Sequence, residues 1–533
     1  LVYGPLEAAA VDASEEARAF HWPLAFPDVL IGKGGFDVVL GNPPWERIKL
    51  QEQEFFAGHE VADAPNAAAR TKAIKKLAAA DEGSADRRLY DAFQTAKRQA
   101  EATSIFARVS GEDGGRYAYT GTGDVNTYAL FSEHFLNLLG ESGRAGIIVP
   151  TGIATDATTA PFFAHLVDTT KLLSLYSFEN EEFIFPSVHH SFRFALLTLG
   201  TNNADVEFAF FLRQASGLED ESRKFNLSPR EIEAINPNTK TAPVFRTRGD
   251  ADLTASIYER VPILLKEIPL GSENEWGISI KRIFDMNKEI GSFRKVDDFE
   301  NSIWKKDGQD WVRGEEGAAE NRYVPLYEGK MVHQFDHRWA TYDGSESRDS
   351  EVNEKEDTSF EPTPRYWVPE RNVSERLGAK GWDRNWLIGW RDVTSAHVYR
   401  TVIAAAFPRS ATDFTTRVIF AEVGPRIAAF LGAANSLVVD FVARGKLGGN
   451  HLSDYLSFQL PILPPSAYSE DDLGFIVPRV LELSYTSHSM APFARDLGYE
   501  GEPFRWDEDR RAQLRAELDA WYALAYGLTR DEL

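Results

Sequence analysis

An apolar run that stops in two consecutive prolines sets the architecture the rest of the chain must serve. Val38, Val39 and Leu40, preceded by the turn Lys33-Gly34-Gly35, read as a buried strand, and the strand ends at Gly41-Asn42-Pro43-Pro44-Trp45. In open α/β sheets, chemistry sits where a strand runs out into such a turn. Each proline fixes its own φ and biases the residue before it towards an extended conformation, so the Asn42 side chain and the Pro43 carbonyl are held pointing the same way. Both are hydrogen-bond acceptors suited to an amino group, and Trp45 adds a flat apolar face for a planar ring.

These residues resemble the amino-methyltransferases that use S-adenosylmethionine and carry an Asn-Pro-Pro-aromatic motif. The resemblance implies that Asn42, Pro43, Pro44 and Trp45 form the catalytic turn. Asn42 and Pro43 would grip an exocyclic amine and border the cofactor, and Trp45 would stack on the base. The bland alternative is a Pro-Pro turn after an ordinary strand. His21-Trp22, ahead of the Phe36-Asp37 strand, widens the resemblance to the large type IIG restriction-modification and phage-defence adenine methylases, with packing as its expected role.

Composition narrows the chemistry. The chain has 533 residues, 43% of them hydrophobic and 12% aromatic, enough to bury more than one core. It has no cysteine, which excludes disulfides, Cys-ligated zinc and a thiolate nucleophile. Methylation of a cytosine ring carbon needs that thiolate and methylation of an exocyclic amine does not, so the target is an amine. The formal charge of −23 opposes a nucleic-acid partner unless basic residues cluster in a groove or another chain supplies them. Neither an apolar run long enough to span a membrane nor a signal-peptide pattern is present, so a cytoplasmic protein without membrane contact is expected.

Residues 46–112 read as a charged helical insertion after the catalytic turn, either a lid or DNA-contacting arm or a solvated hairpin. The glycine loop at 119–123 mimics a cofactor loop but lacks an apolar strand before it. Val125 to Leu139 reads as an amphipathic crossover helix, followed by a Glu141-Ser142-Gly143-Arg144 turn and a strand from Ala145 to Val149. This order also matches the resembled family. Further strands are expected at Lys171 to Phe178 and His190 to Leu199. By family analogy Phe192, with Phe194 as the alternate, is the second wall of the base pocket. The adjacent His189 and His190 would point to opposite strand faces, and no metal site is expected.

The expected fold is α/β, a partial Rossmann-like class I methyltransferase sheet over 1–245, then an α+β target-recognition domain over 246–465 and a helical segment over 466–533. The family places its cofactor loop upstream of the Asn-Pro-Pro strand, and no convincing one precedes that strand here. The strand would then be an unprotected sheet edge, so a fragment, or one partner of a split protein completed by an upstream segment or second chain, is expected. Residues 201–250 read as a turn-rich connector. Two glycine-bearing basic segments, Tyr327 to Arg338 and Arg444 to Leu452, resemble target-recognition segments of the same methylases. They offer Lys330, Gln334, Arg338, Arg444, Lys446 and Asn450 as contacts to double-stranded DNA. The expected activity is N6 methylation of adenine in DNA with S-adenosylmethionine. The alternatives are a non-catalytic DNA-binding or assembly fragment, and an amino-methyltransferase acting on RNA or protein glutamine.

Overall fold

The structure, a computed structural model, describes residues 4–16, 18–201, 205–268, 271–300, 302–314, 321–422, 424–447 and 449–532. The expected turn at Asn202-Asn203, and Gly448 of the second basic segment, lie outside them. The chain divides into two compact units. One holds Leu1–Ile232 with Thr239–Ala242 and Arg246–Arg248, and the other holds Glu233–Asn238, Pro243–Phe245 and Gly249–Leu533.

The first unit is built on strands β1 (Phe36–Gly41), β2 (Leu139–Pro150), β3 (Leu172–Glu179), β4 (Arg193–Gly200), β5 (Val206–Leu212) and β6 (Phe225–Leu227). They form one sheet in the order β1-β2-β4-β3-β5-β6. The sheet is mixed: β1/β2 and β3/β5 are parallel, whereas β4 runs antiparallel to both its neighbours and β6 antiparallel to β5. The connector expectation fails at β5, where Val206, Phe208, Ala209, Phe210 and Leu212 are buried. This apolar stretch extends the sheet.

Between β1 and β2 the chain forms helices α1 (Ala67–Ala78), α2 (Ala85–Ala107) and α3 (Thr127–Leu138). Asn66 and Ser84 cap α1 and α2 by accepting from the backbone N–H groups of Ala69 at 2.9 Å and Arg87 at 3.1 Å. The two helices enclose a small core of their own, made by Phe56, Val61, Ile74, Leu77 and Phe93. Its base is stitched to the turn that follows β1, because Ile48 packs with Ala107, Val125 and Leu130. The crossover helix α3 buries Tyr128, Ala129, Leu130 and Leu138. The expected turn after it is instead part of β2. Backbones approach closely there, since a Cβ on Gly143 would lie 2.4 Å from the Phe36 carbonyl oxygen and one on Gly35 2.3 Å from the Gly140 nitrogen.

The reading of β1 as buried is corrected. The strand lies at the sheet edge, and Val38 and Leu40 are 69% and 83% exposed. Its first residue, Phe36, packs edge-on against Trp22 and Phe26, and Trp22 also meets His134. In the helix Ala160–Asp168 between β2 and β3, Phe162, Phe163, Leu166 and Val167 are fully buried, each stabilising the unit by about 1.5–3 kcal/mol.

In the second unit, β7 (Ser279–Lys281), β9 (Trp386–Arg391), β10 (Ala404–Pro408) and β11 (Thr416–Phe420) make an antiparallel sheet in the order β10-β9-β11-β7, and β8 (Arg322–Tyr327) belongs to a second sheet. Helices α4 (Pro425–Ala434), α5 (Leu437–Arg444), α6 (Glu470–Ser484) and α7 (Glu508–Ala525) share one core with those strands. α4 and α7 touch at Gly432, where a Cβ would meet the Tyr522 hydroxyl at 2.7 Å, and that hydroxyl donates to the Ala429 carbonyl. Among the described residues no single helix is long and apolar enough to cross a membrane. The bent pair α4–α5 passes on length and composition only, and α4 is buried throughout most of its length.

Candidate functional site

The turn after β1 is clamped from α3. The Thr127 hydroxyl donates to the Pro44 carbonyl at 2.7 Å, and the Thr127 N–H donates to the Glu46 carbonyl at 2.9 Å. The Ile48 N–H donates to the Val125 carbonyl, and Arg47 pairs with Asp124 at 3.3 Å. Pro43 is buried and Trp45 half-buried, its indole N–H donating to the Ile148 carbonyl at 3.4 Å. Asn42 is exposed and has no side-chain hydrogen-bond partner among the described residues. The turn therefore fixes the ring at 45 and leaves the amide at 42 open.

The aromatic neighbour of Trp45 is a loop residue. Phe185 meets Trp45 edge-on at 6.4 Å and Phe194 edge-on at 4.9 Å, and Phe194 stacks on Phe178 at 5.2 Å. Phe192, the expected second wall, is 55% exposed and outside this cluster, so that assignment is corrected. The alternate Phe194 is in the cluster, one ring behind Phe185. Sequence reasoning missed Asn180, which is fully buried and organises the loop. Its amide donates to the Phe185 carbonyl at 3.1 Å and the Val188 carbonyl at 2.9 Å, and accepts from the Phe185 N–H at 2.9 Å. Asn180→Ala is expected to destabilise the unit by about 1–3 kcal/mol through these unpaired groups, and Phe192→Ala to stay within about 0.5 kcal/mol. Urea unfolding of the two variants checks both values. His189 and His190 lie in the turn before β4, where they bond Ser191 and Glu181.

The glycine loop does not fit as a nucleoside cradle. A Cβ on Gly121 would lie 2.0 Å from the Ala107 carbonyl oxygen, and one on Gly123 would lie 3.0 Å from Thr158. Those glycines admit the chain's own backbone and side chains. Buried Glu133 ties the loop down, accepting from the Thr120 N–H at 2.9 Å and the Thr120 hydroxyl at 2.6 Å.

The two basic segments of the second unit converge on the end of β9. Arg391 donates to the Lys330 carbonyl at 3.1 Å, Thr394 N–H to the Asn450 carbonyl at 3.0 Å, and Leu452 N–H to the Asp392 carbonyl at 2.7 Å. Lys330 is 48% exposed, with its ammonium 4.7 Å from the centre of the Tyr342 ring, and Asn450 is exposed. Arg282 and His451 flank the same rim through Asp392, at 3.9 Å and 3.0 Å. A cavity of about 330 Å³ opens there, lined by Glu328, Lys330, Arg391, Asp413 and Thr415 among others. Burial pushes the Asp413 carboxyl up to about 6, against hydrogen bonds from Thr415, and pushes Arg391 down to about 10.

Three of the expected DNA contacts face inward and a fourth, Arg444, is spent on neighbouring groups of the chain, and those assignments are corrected. Buried Gln334 donates to the Val402 and Asn435 carbonyls. Arg338, fully buried, donates to the carbonyls of Asp357, Phe360, Lys355 and Thr486. Lys446 is buried against Tyr258 and donates to the Ile235 carbonyl at 2.7 Å, and burial holds its pKa well below the usual lysine value. Arg444 spends its guanidinium on Asp440 and on the carbonyls of Ala396, Val398 and Tyr399. Among the described residues no group of three or more acidic, histidine or cysteine side chains is placed to hold a metal ion.

Residues 7–84 match the Eco57I restriction-modification methylase family. The match takes in the His21-Trp22 segment, β1, the turn at Asn42 to Trp45 and helix α1. No curated protein matches the chain. Among solved structures, the Type IIL restriction-modification enzyme MmeI in complex with DNA is similar at 8% identity and a TM-score of 0.42, over 92% of this chain and 54% of that one. The DrdV–DNA complex is similar at 11% identity and a TM-score of 0.36, over 84% of this chain and 44% of that one. The ATP-dependent Type ISP restriction-modification enzyme LlaBIII bound to DNA is similar at 9% identity and a TM-score of 0.37, over 88% and 30%. The chain thus spans about half or less of the length of these structures, and likenesses this loose decide nothing about activity.

Proposed function

We propose that this chain is the base-gripping and DNA-reading portion of a DNA adenine-N6 methyltransferase of the restriction-modification or phage-defence kind. The carrying observation is the pairing of an open amide at Asn42 with an anchored ring at Trp45, on a turn clamped by Thr127. The target base leaves the duplex at a cost of a few kcal/mol. Stacking on Trp45 offsets about 1–3 kcal/mol of that. The Asn42 side-chain oxygen and the Pro43 carbonyl accept the amine hydrogens and draw the nitrogen towards tetrahedral geometry, so the turn acts by positioning and electrostatics. S-adenosylmethionine supplies the methyl group when bound. In the second unit, Lys330 and Asn450 are the exposed members of the DNA-facing rim, a role that favours DNA over a glutamine side chain as the substrate.

The exposed apolar edge of β1 supports a second element of the reading: an upstream segment or a partner chain pairs with that edge and brings the cofactor cradle. Calorimetric titration of S-adenosylmethionine into this chain alone is the test. No binding is expected, with binding restored when the pairing segment is supplied. Micromolar binding to the chain alone would overturn the requirement for a partner.

A further inference from the structure

A group of arginines stands at the same end of the strands as the turn after β1, and neither the turn nor the aromatic wall uses it. β5 bears an irregularity against β3: Tyr176 pairs with Ala209, but Phe178 pairs with Leu212. Within it the buried Phe211 has φ of 57°, a conformation a bulky residue keeps only where its surroundings fix it. Three arginines supply that surrounding. Arg223 donates to the Phe211 carbonyl at 2.8 Å, and the Arg246 and Arg193 guanidinium groups lie 4.3 Å and 5.7 Å from the centre of its ring. Arg193 and Arg213 each approach one oxygen of Glu179 at 3.5 Å, so the same carboxylate gathers both cations. The strained ring therefore holds cations close together. Burial lowers the Arg193 pKa, Glu179 pulls it back up, and the neighbouring Arg246 pushes it down again.

The placement relative to the turn follows from register. Glu179 pairs with Arg193 at the last step of β3/β4, and Pro150 at the end of β2 pairs with Phe194. Gly41 of β1 pairs with Ile147 of β2. The arginines thus sit at the end of the sheet from which Asn42 emerges, Arg193 two strands across from β1 and Arg213, which follows β5, four, or about 10 Å and about 19 Å. Because neighbours on a strand alternate, Arg193 lies on the face opposite Phe194.

The geometry points to an anion site in which Arg193, Arg213 and Arg246 hold a backbone phosphodiester of the nucleic-acid strand whose base enters the turn at Asn42. Phosphate contacts of this kind fix register and carry no sequence information. The inference rests on the proposed nucleic-acid substrate. It also explains how a strongly acidic chain can keep a polyanion beside its reacting centre, since the cations are collected at one end of the sheet.

The test is binding of fluorescently labelled duplex DNA with an abasic target position, by the full chain, as a function of sodium chloride. Arg213 and Arg246 are exposed, so the double variant R213A/R246A is expected to fold. It should lose up to about 0.9 in the slope of log affinity against log salt, the share of the one phosphate these side chains hold, on every sequence alike. The double variant R213K/R246K should retain most of the slope. An unchanged slope in R213A/R246A, with wild-type binding intact, overturns this inference and leaves the methyltransferase reading standing. Failure of the wild-type chain to bind DNA at all overturns both. Thermal stabilisation of the wild-type chain by inorganic phosphate, lost in R213A/R246A while the DNA slope is unchanged, would assign the arginines to a free anion and overturn the phosphodiester assignment.

Discussion

Replacing Asn42 with alanine is expected to lower methyl transfer to DNA adenine by about 10²- to 10³-fold, the scale on which one preorganised hydrogen-bonding group acts at a reacting centre. The loss should fall on kcat more than on KM, because the amide's grip on the amine strengthens as the nitrogen leaves planarity. Stability should move by no more than about 0.5 kcal/mol, since the side chain is exposed and holds no other part of the turn. Single-turnover transfer with the assembled protein, paired with a urea unfolding curve of the variant, separates the two effects. Full transfer by a folded Asn42→Ala protein would remove the amine-grip assignment.

The opposite signature is expected at Arg338. Its guanidinium is fully buried and donates to four main-chain carbonyls drawn from two stretches of the second unit, 355–360 and Thr486. Arg338→Met leaves those acceptors unpaired, and unsatisfied buried groups cost about 1–3 kcal/mol each before relaxation, so a loss of about 3–5 kcal/mol is expected. Nearby Lys355 bonds Asp336 at 2.8 Å and lies over Trp339 and Trp506, so the damage reaches a connected buried network. Lys330→Ala should do the reverse, leaving the unfolding midpoint in place while weakening DNA binding. If Arg338→Met kept its stability and lost only DNA affinity, the inward assignment of Arg338 would be wrong.

The contrast between these two positions shows where the sequence was legible. The turn at Asn42 to Trp45 could be read because proline, asparagine and tryptophan leave the backbone few choices. The crossover helix and β2 to β4 could be read because apolar spacing is strong there, although Gly143, which with Gly35 allows a close backbone approach, makes the start of β2 look like a turn in sequence. β5 was lost among turn-rich neighbours. Phe192 was chosen over Phe194, but β4 begins only at Arg193, so Phe192 belongs to the turn before it, where strand alternation does not place a side chain. Phe185 was hidden for a different reason: it reaches Trp45 from a loop shaped by Asn180, a long-range fact with no local pattern. Arg338 and Lys446 were misread because a glycine-bearing basic segment looks the same whether its cations meet phosphates or buried carbonyls. Lys330 and Asn450, by contrast, are brought to one rim by contacts that no spacing rule anticipates.

The insertion after the turn has a consequence for how the chain breathes. Because α1 and α2 close around five buried side chains of their own, the hairpin forms a small cooperative unit whose opening free energy is set by that core and not by the sheet. Its amide protons should therefore exchange with solvent well before those of β2 and β4. The hairpin can open while the Thr127 hydrogen bonds to Pro44 and Glu46, to which it contributes nothing, hold the turn of Asn42 and Trp45 in place.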